Sequence, residues 1–533
     1  MRRIITIIVL LNASMGIAQT EFEILVDGNT KRTIRAVDSV EVVRFTDQFL
    51  SKLWREGYVF AGLDSIRKNK VFLHQGDRVK IADEQFKDFS QMYDRVERDL
   101  KSKANSGYPF ARVVWDSVRV VEGNWIIQPS LIDGPLILND SIVLLSTIKT
   151  KRSFLAKTIG FEKGEVYSER DFKSAGKRLD RIQFISARRP PDISFQAGKA
   201  WAYLDLEESN TGSFRGVIGL LPNQSSANNV LITGSIDLRL ENLFKSGKLL
   251  DISWDRFGEL SQQLDLQYEH PYLAGSDLFA GGEFHLLRQD SSFIKQGVGL
   301  NLNFFLKDRI SMGVGFEQET SSVLLSSAER ISAQNLLDYD QNRYSITFGQ
   351  MVANPSVFKN YFGFNFKLGV GQRSLARNAR LPDTYYDSLR MNTTNVFLQL
   401  HAKWQRKLTK NSGIYHSFSS AHLSGILSQN QLFRLGGLQS LRGFNEQFFF
   451  AQSYIVNQVE WRLFFEQDSY LFAFVDQGLV YETGWNSPTG FGGGFSLNTN
   501  SGLFSFAMAL GGVEGLPLNL ANTKVHFGYL SRF

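Results

Sequence analysis

From Gly212 onward, apolar and polar residues alternate along the chain in one segment after another. In residues 361–370, aromatic and aliphatic side chains occupy every second position, and small or charged ones occupy the positions between. Residues 396–404 and 525–533 follow the same pattern. A period of two predicts β-strands with one apolar face. A soluble sandwich would alternate too, but several segments run about ten residues, the length of a tilted strand that spans a bilayer. The pattern therefore favours a transmembrane barrel with a polar lumen.

The length of this region sets the size of the predicted barrel. At about 20 residues per strand and connection, residues 212–533 accommodate about sixteen antiparallel strands, with fourteen as the second choice. Long polar stretches at 321–341 and 375–395 are predicted to be extracellular loops.

The barrel is expected to close by pairing its first strand, near 214–221, with its last, 524–533. The residues assigned to this seam are Phe214, Gly216, Gly219, Tyr529 and Phe533. Because glycine weakens a strand, we expect the seam to be weaker than the other pairings.

The first two hundred residues show a different pattern, in which two passages repeat at a spacing of 50. Gly57-Tyr58 and Gly107-Tyr108 each follow an amphipathic, helix-like segment and precede a pair of strand-like segments. A third copy begins near residue 134, with a strand over 137–148, a helix at 153–157, a second helix over 169–179, and a hairpin from 182–185 to 200–206. The predicted order in this copy is β-α-α-β-β.

The organisation that follows is a signal peptide (1–18), two degenerate modules (19–82 and 83–133), a third module (134–208) and the barrel (209–533). Whether the modules number two or three is left open, because the first two copies are short. Arg2-Arg3, a short apolar run and small residues before position 19 indicate the signal peptide. The apolar run is well short of the ~20 residues that a spanning helix needs.

The amino-acid composition and motifs limit the catalytic and binding sites that the chain could contain. The chain has no cysteine, which excludes disulfides, thiol catalysis and a lipid-modified cysteine anchor. Its seven histidines show no metal-binding spacing, and no nucleophile elbow, nucleotide-binding loop or basic-aromatic platform occurs. The glycine-rich stretch 490–494 is interpreted as a turn with a small-residue lumen face. We therefore expect no enzyme activity, no metal, no cofactor and no nucleic-acid partner. The net charge of +6 is interpreted as a mild excess on solvated faces.

Arg442 is the most informative single residue of the predicted barrel. Two later strands carry Glu460 and Asp476 on the face opposite their apolar residues, so both carboxylates are expected to face the lumen. Neighbouring strands would bring them close enough to bind one guanidinium, whose planar fork suits paired carboxylates.

The motif around Arg442 resembles one found in the BamA/TamA/FhaC superfamily of outer-membrane insertases and exporters. The matching residues are Leu441-Arg442-Gly443-Phe444 after Leu435-Gly436-Gly437, then Phe474-Val475-Asp476-Gln477-Gly478, the stretch from Ser253 through Tyr268-Glu269-His270-Pro271-Tyr272-Leu273, and the terminal Phe533. The third copy resembles a polypeptide-transport-associated (POTRA) module. The resemblance implies that Arg442 sits in a loop folded into the lumen and contacts Glu460 and Asp476.

The resemblance also implies a function, nearest the TamA-like group. Unfolded outer-membrane or secreted client proteins would bind the POTRA modules in the periplasm and be inserted or translocated at the seam of a bacterial outer-membrane barrel. The other expected contacts are the bilayer, lipopolysaccharide, and periplasmic or inner-membrane accessory proteins. The alternatives are an exporter of one dedicated secreted protein, as in two-partner secretion, and a passive outer-membrane barrel.

Overall fold

The computed structural model describes residues 20–36, 39–79, 86, 88–121, 124–209, 212–222, 230–307, 309–350, 360–466, 469–499, 502–515 and 518–532. The predicted signal peptide and Phe533 lie outside these residues. The chain divides into two compact units. One holds the described residues up to Ser141 with 163–173 and 194–201, and the other holds 142–162, 174–193 and the described residues from Ala202 onward.

The N-terminal part begins with a four-stranded sheet that packs on one helix. Its elements are β1 (Thr20–Val26), β2 (Asn29–Ala36), α1 (Ser39–Arg55), β3 (Gly62–Arg67) and β4 (Lys70–His74), in the sheet order β2-β1-β4-β3. Ile24 and Val71 are fully buried and pack with Leu50 and Leu53 of α1. A hairpin thus precedes α1, so this first copy departs from the β-α-α-β-β order.

The second copy consists of one helix and one long hairpin in the described residues, namely α2 (Phe89–Ala104), β5 (Arg112–Val121) and β6 (Asn124–Ile132). Asp88 caps the start of α2, where its side chain accepts a hydrogen bond from the amide of Gln91 at 2.9 Å.

The third copy is the one closest to the predicted order. Its elements are β7 (Leu138–Leu144), α3 (Arg152–Ile159), α4 (Glu169–Lys173), α5 (Ala175–Leu179), β8 (Ile185–Ala187), β9 (Asp192–Gln196), β10 (Lys199–Leu204) and β11 (Leu206–Glu208). The predicted helix over 169–179 is interrupted at Ser174, and the predicted strand over 137–148 is shorter. The predicted hairpin is also different, because β8 pairs with β11 while β9 and β10 form the hairpin beside β7.

The rest of the described chain forms a closed antiparallel barrel of sixteen spanning strands, which confirms the predicted count. The spanning strands are β12 (Ser213–Pro222), β13 (Val230–Leu243), β14 (Lys248–Arg256), β15 (Gln262–His270), β16 (Phe279–Gln289), β17 (Phe293–Lys307), β18 (Ile310–Val323), β19 (Asp338–Gln350), β20 (Tyr361–Ala376), β21 (Asn392–Lys407), β22 (Ser412–Leu423), β25 (Ser453–Glu466), β26 (Ser469–Tyr481), β28 (Thr489–Thr499), β29 (Gly502–Gly512) and β30 (Lys524–Arg532). Three short pieces lie in connections, namely β23 (Phe433–Leu435), β24 (Phe449–Ala451) and β27 (Trp485–Asn486).

Alternation places the apolar residues outside and the polar ones in the lumen. On β26, Val475 is 53% exposed on the outer face, whereas Asp476 beside it is fully buried. Phe362 and Val370 of β20 are exposed in the same way. This is the arrangement that a barrel in a bilayer needs. None of the helices in the described part of the chain is long and apolar enough to cross a membrane.

The two long connections differ from the prediction. The strands extend into the predicted loops, leaving connections at 324–337 and 377–391. The loops also hold a small apolar core, which the prediction of long polar connections did not include. Its buried loop residues are Leu325, Ile331, Leu336, Leu381 and Tyr386, which pack with Phe257, Leu287 and Phe293.

Candidate functional site

The connection between β22 and β25, residues 424–452, is called the inner loop. Connections at one end of the barrel follow β12, β14, β16, β18, β20 and β22. The inner loop is the sixth of these. Its residues contact lumen-facing side chains of strands on both sides of the barrel, so it lies inside the lumen. Leu441 and Phe444 of the loop are buried in an apolar cluster with Val456 and Val480.

Arg442 binds both predicted carboxylates. Its Nε donates to Asp476 Oδ2 at 2.7 Å and its Nη2 donates to Asp476 Oδ1 at 2.5 Å, which is a bidentate pair. Its Nη1 donates to Glu460 Oε1 at 2.5 Å, and its backbone amide donates to Asp476 Oδ2 at 3.0 Å. Arg442 is 5% exposed, and the guanidinium also lies over the ring of Phe474, 3.7 Å from its centre. The structure therefore brings Arg442, Glu460 and Asp476 together.

The charge network continues beyond the predicted residues. Glu460 accepts from Arg462 Nη2 at 2.6 Å and Nε at 2.8 Å, and Arg462 Nη1 donates to Gln405 Oε1 at 2.8 Å. The two carboxylates and two guanidinium groups balance in charge, which lowers the cost of burying them. The position of Arg462 two residues after Glu460, on the same face of β25, is a sequence signal that could have identified it.

Glycines on three neighbouring strands make room for the motif. A side chain at Gly490 of β28 would overlap the carbonyl of Arg442, and one at Gly511 of β29 would lie 2.7 Å from the carbonyl oxygen of Gly443. Gly478 of β26 is covered by Leu441 in the same way. Gly443 itself has φ 93°, which favours glycine. The stretch 490–494 lies within strand β28, so the interpretation that it is a turn is wrong, whereas Gly490 does face the lumen, against the carbonyl of Arg442.

The inner loop is also anchored to the opposite wall. Asn430 Nδ2 donates to Ser321 Oγ at 2.8 Å and to the carbonyl of Leu337 at 2.7 Å, and Gln431 Oε1 accepts from Arg373 Nη1 at 2.5 Å. Near the loop tip, Gln447 Nε2 donates to Gln263 Oε1 of β15 at 2.5 Å. The loop thus crosses the lumen, and sequence reasoning missed these anchors because single amide side chains carry no distinctive pattern.

The barrel closes where the sequence predicts, between β12 and β30. The pairing runs from Ser213↔Arg532 to Leu220↔Val525. Gly216 lies opposite Tyr529, and Gly219 lies opposite His526. Phe214, Gly216 and Tyr529 belong to the outer face, and Gly219 is on the lumen face together with Val217.

The repeated Gly-Tyr turns have the same hydrogen bonds in both copies. The amide of Tyr58 donates to the carbonyl of Leu53 at 3.0 Å, as Tyr108 does to Lys103 at 2.9 Å. The carbonyl of Gly57 accepts from Val79 at 2.8 Å, and that of Gly107 accepts from Ile137 at 2.8 Å. Gly57 and Gly107 have φ of 99° and 93°. Each turn therefore ends a helix and accepts a backbone hydrogen bond from a residue that follows the next hairpin in the chain.

Two cavities lie within the barrel, one of them beside the inner loop. One of about 610 Å³ is lined by the loop and by β12–β21, and one of about 540 Å³ lies nearer α3 and α5. Both are lined by Glu283, Glu317 and Lys367, so they adjoin. Among the described residues, no group of histidines and acidic residues is arranged to hold a metal ion.

No protein-family model and no curated protein matches this sequence. Solved structures do. CdiB from Escherichia coli is similar over 98% of this chain and 93% of its own, with a TM-score of 0.53 and 15% identity. CdiB from Acinetobacter baumannii is similar over 97% and 90%, with a TM-score of 0.52 and 14% identity. BamA from Haemophilus ducreyi lacking POTRA domains 1–3 is similar over 81% and 92%, with a TM-score of 0.46 and 15% identity. The chain therefore shares the fold of the two CdiB structures.

Proposed function

We propose that the protein is an outer-membrane barrel that binds client polypeptides through its N-terminal modules in the periplasm and inserts or translocates them at the β12–β30 seam. Its nearest relatives would be the TamA-like group. The clients are unfolded outer-membrane or secreted proteins. The barrel would also contact the lipid bilayer, lipopolysaccharide, and periplasmic or inner-membrane accessory proteins. The observation that carries the proposal is the closed sixteen-stranded barrel whose inner loop is held by Arg442, Glu460 and Asp476.

The proposed mechanism uses strand pairing alone. If β12 and β30 part, each exposes a row of backbone donors and acceptors, and an extended client can add a strand to either edge. Folding of the client then supplies the free energy, without a nucleotide. In this account Arg442 is a brace and not a catalytic group. It keeps the inner loop fixed on β26, β28 and β29 while the seam moves.

A second candidate is export of one dedicated protein through the lumen. The adjoining cavities of about 610 and 540 Å³ favour it, because both are lined by the lumen-facing charged residues Glu283, Glu317 and Lys367. The inner loop would then have to move, since it crosses the lumen to Gln263.

Photo-crosslinking of a stalled client distinguishes the candidates. A crosslinking residue replaces Tyr529 on the outer face of the seam, Ser345 on the lumen wall, or Leu398 on the outer face away from the seam. Insertion predicts client adducts at Tyr529 and few at Ser345 or Leu398. Adducts at Ser345 alone would establish export instead, and no adducts at any position would indicate a passive barrel.

A further inference from the structure

Glu208 receives hydrogen bonds from two directions shortly before the first barrel strand begins. Its Oε2 accepts from the backbone amides of Lys149 at 2.5 Å and Thr150 at 3.2 Å. Its Oε1 accepts from Asn242 Nδ2 at 3.0 Å. Three segments therefore meet at one carboxylate: the strand β11 that leads to β12, the approach to α3, and the end of β13.

Asn242 is built into a strained turn. It is 7% exposed, its Nδ2 also donates to Thr150 Oγ1 at 2.9 Å, and its Oδ1 accepts from the amide of Gly247 at 2.9 Å. Its φ is 56°, and Phe244 and Lys245 in the same turn have φ of 55° and 59°. Such backbone in non-glycine residues persists only where the surroundings hold it.

Helix α3 packs on this turn and on the connection between β15 and β16, which lies at the same end of the barrel. The Phe154 ring occupies the space where a side chain at Gly247 would lie, and its centre is 5.8 Å from that of Tyr272. Tyr272 Oη donates to Thr158 Oγ1 at 3.0 Å. Burial raises the pKa of Tyr272, so the hydroxyl keeps its proton. The helix is therefore fixed to the barrel through both polar and apolar contacts.

The two sides of β12 are held differently. Towards β13, the ladder runs from Ser213↔Arg239 to Pro222↔Val230, and Arg215 Nε binds Asp237 Oδ2 at 2.8 Å. The hydrogen bond between Glu208 and Asn242 continues this attachment past the Ser213↔Arg239 pair, at the end where β12 begins. Towards β30, the ladder stops at Leu220↔Val525, and the lumen-facing partners of His526 and Gly528 are Gly219 and Val217, which have no side-chain polar group.

We propose that Glu208 and Asn242 are positioning residues of the seam. They hold the start of β12 to β13 and to α3, so that the barrel parts between β12 and β30 and not between β12 and β13. The exposed β12 edge then stays fixed beside α3. This inference rests on the proposed opening of the seam, and it predicts which residues make that opening specific.

Disulfide trapping tests the proposal cleanly, because the chain has no cysteine of its own. Phe214→Cys is combined either with Leu238→Cys on β13 or with Ser531→Cys on β30, since Phe214 lies directly opposite both residues. The clasp, meaning the Glu208–Asn242 contact, is removed by Glu208→Ala or by Asn242→Gly, which keeps the left-handed backbone. Glu207→Ala is the matched control, because Glu207 lies beside Glu208 and its side chain forms an exposed pair with Arg188 at 3.6 Å.

We expect the yield of the disulfide between β12 and β13 to fall at least threefold in Glu208→Ala and Asn242→Gly, and to stay unchanged in Glu207→Ala. The yield of the disulfide between β12 and β30 should not fall in either clasp variant, because β12 then stays with β30. A Phe491→Cys, Leu510→Cys pair on β28 and β29 should form equally in all variants, which shows that the barrel has folded. If Glu208→Ala does not fold, Glu208→Gln, which retains one acceptor oxygen, should give an intermediate fall.

Unchanged yields of the β12–β13 disulfide in both clasp variants would overturn the proposal. An equal fall in Glu207→Ala, or an equal fall of the β12–β30 disulfide, would overturn it too. The disulfide yields are measured without a client protein. A result that overturns this proposal is therefore distinguishable from a negative crosslinking result, which would overturn the proposed function.

Discussion

Arg442 belongs to a buried network of ion pairs in the lumen. Its guanidinium, Asp476 and Glu460 are removed from water together, and Arg462 completes the balance. Such a network contributes little net stability as a whole, because desolvation offsets attraction. Removing one member is costly, however, because it leaves a buried charge without its partner.

Arg442→Ala should therefore destabilise the folded barrel by about 3–5 kcal/mol, since Asp476 is fully buried and loses its bidentate partner. Arg442→Lys should recover only part of this loss, because an ammonium cannot reproduce the planar fork. The shift from folded to unfolded mobility on heating, followed by gel electrophoresis, measures both effects.

The control for this substitution is Arg377→Ala. Arg377 pairs with Asp383 in an exposed connection, where ion pairs contribute about 0–1 kcal/mol. Equal heat-induced transitions in Arg442→Ala and Arg377→Ala would contradict the role of Arg442 as a brace.

At the scale of single residues, the sequence predicts that Arg442 contacts Glu460 and Asp476, but it does not predict the contacts around them. Alternation on two strands was enough to place Glu460 and Asp476 on the lumen face. Asn430 and Gln447 act across the lumen, and their partners Ser321 and Gln263 lie far away in the chain. Contacts of this kind depend on barrel diameter and strand stagger, which no local pattern contains.

At the scale of elements, the inner loop depends on a glycine surface. Gly490 and Gly511 let the backbone at Arg442 and Gly443 approach β28 and β29 closely. The sequence shows the glycines but not what lies against them. Their role becomes visible only once the loop is folded into the lumen.

Gly490→Ala should dislodge the loop, because its methyl group would overlap the carbonyl of Arg442. We expect faster protease cleavage of the inner loop from outside intact cells, by severalfold, with the barrel still folded. Gly484→Ala is the matched control, since a side chain there meets no atom within 4 Å. Cleavage rates that are the same in both variants would argue against the glycine surface.

The second anchor of the loop should also contribute to stability. Asn430→Ala leaves a buried carbonyl of Leu337 without one donor and removes the bond to Ser321, which should cost about 1–3 kcal/mol. Asn392→Ala on an exposed position of β21 should cost far less. The heat-induced mobility shift compares the two, and equal shifts would refute the anchor.

At the scale of the whole molecule, chain length and alternation together predict sixteen strands and the closing pair. The internal order of the N-terminal copies is less predictable. The first copy has a hairpin before its helix, and the third has an interrupted helix, because short elements there are decided by packing and not by periodicity. The apolar core of loops 324–337 and 377–391 was hidden for the same reason.

We propose that the β12–β30 seam must open for client proteins to be assembled. A disulfide between Ile218→Cys and Phe527→Cys, which lie directly opposite each other, would lock it in this cysteine-free chain. The matched control locks Phe491→Cys to Leu510→Cys on β28 and β29. Client levels in the outer membrane are the measurement. We expect the seam lock to abolish client assembly until a reductant is added, while the control lock has no effect. Normal client assembly with the seam fully locked would contradict it.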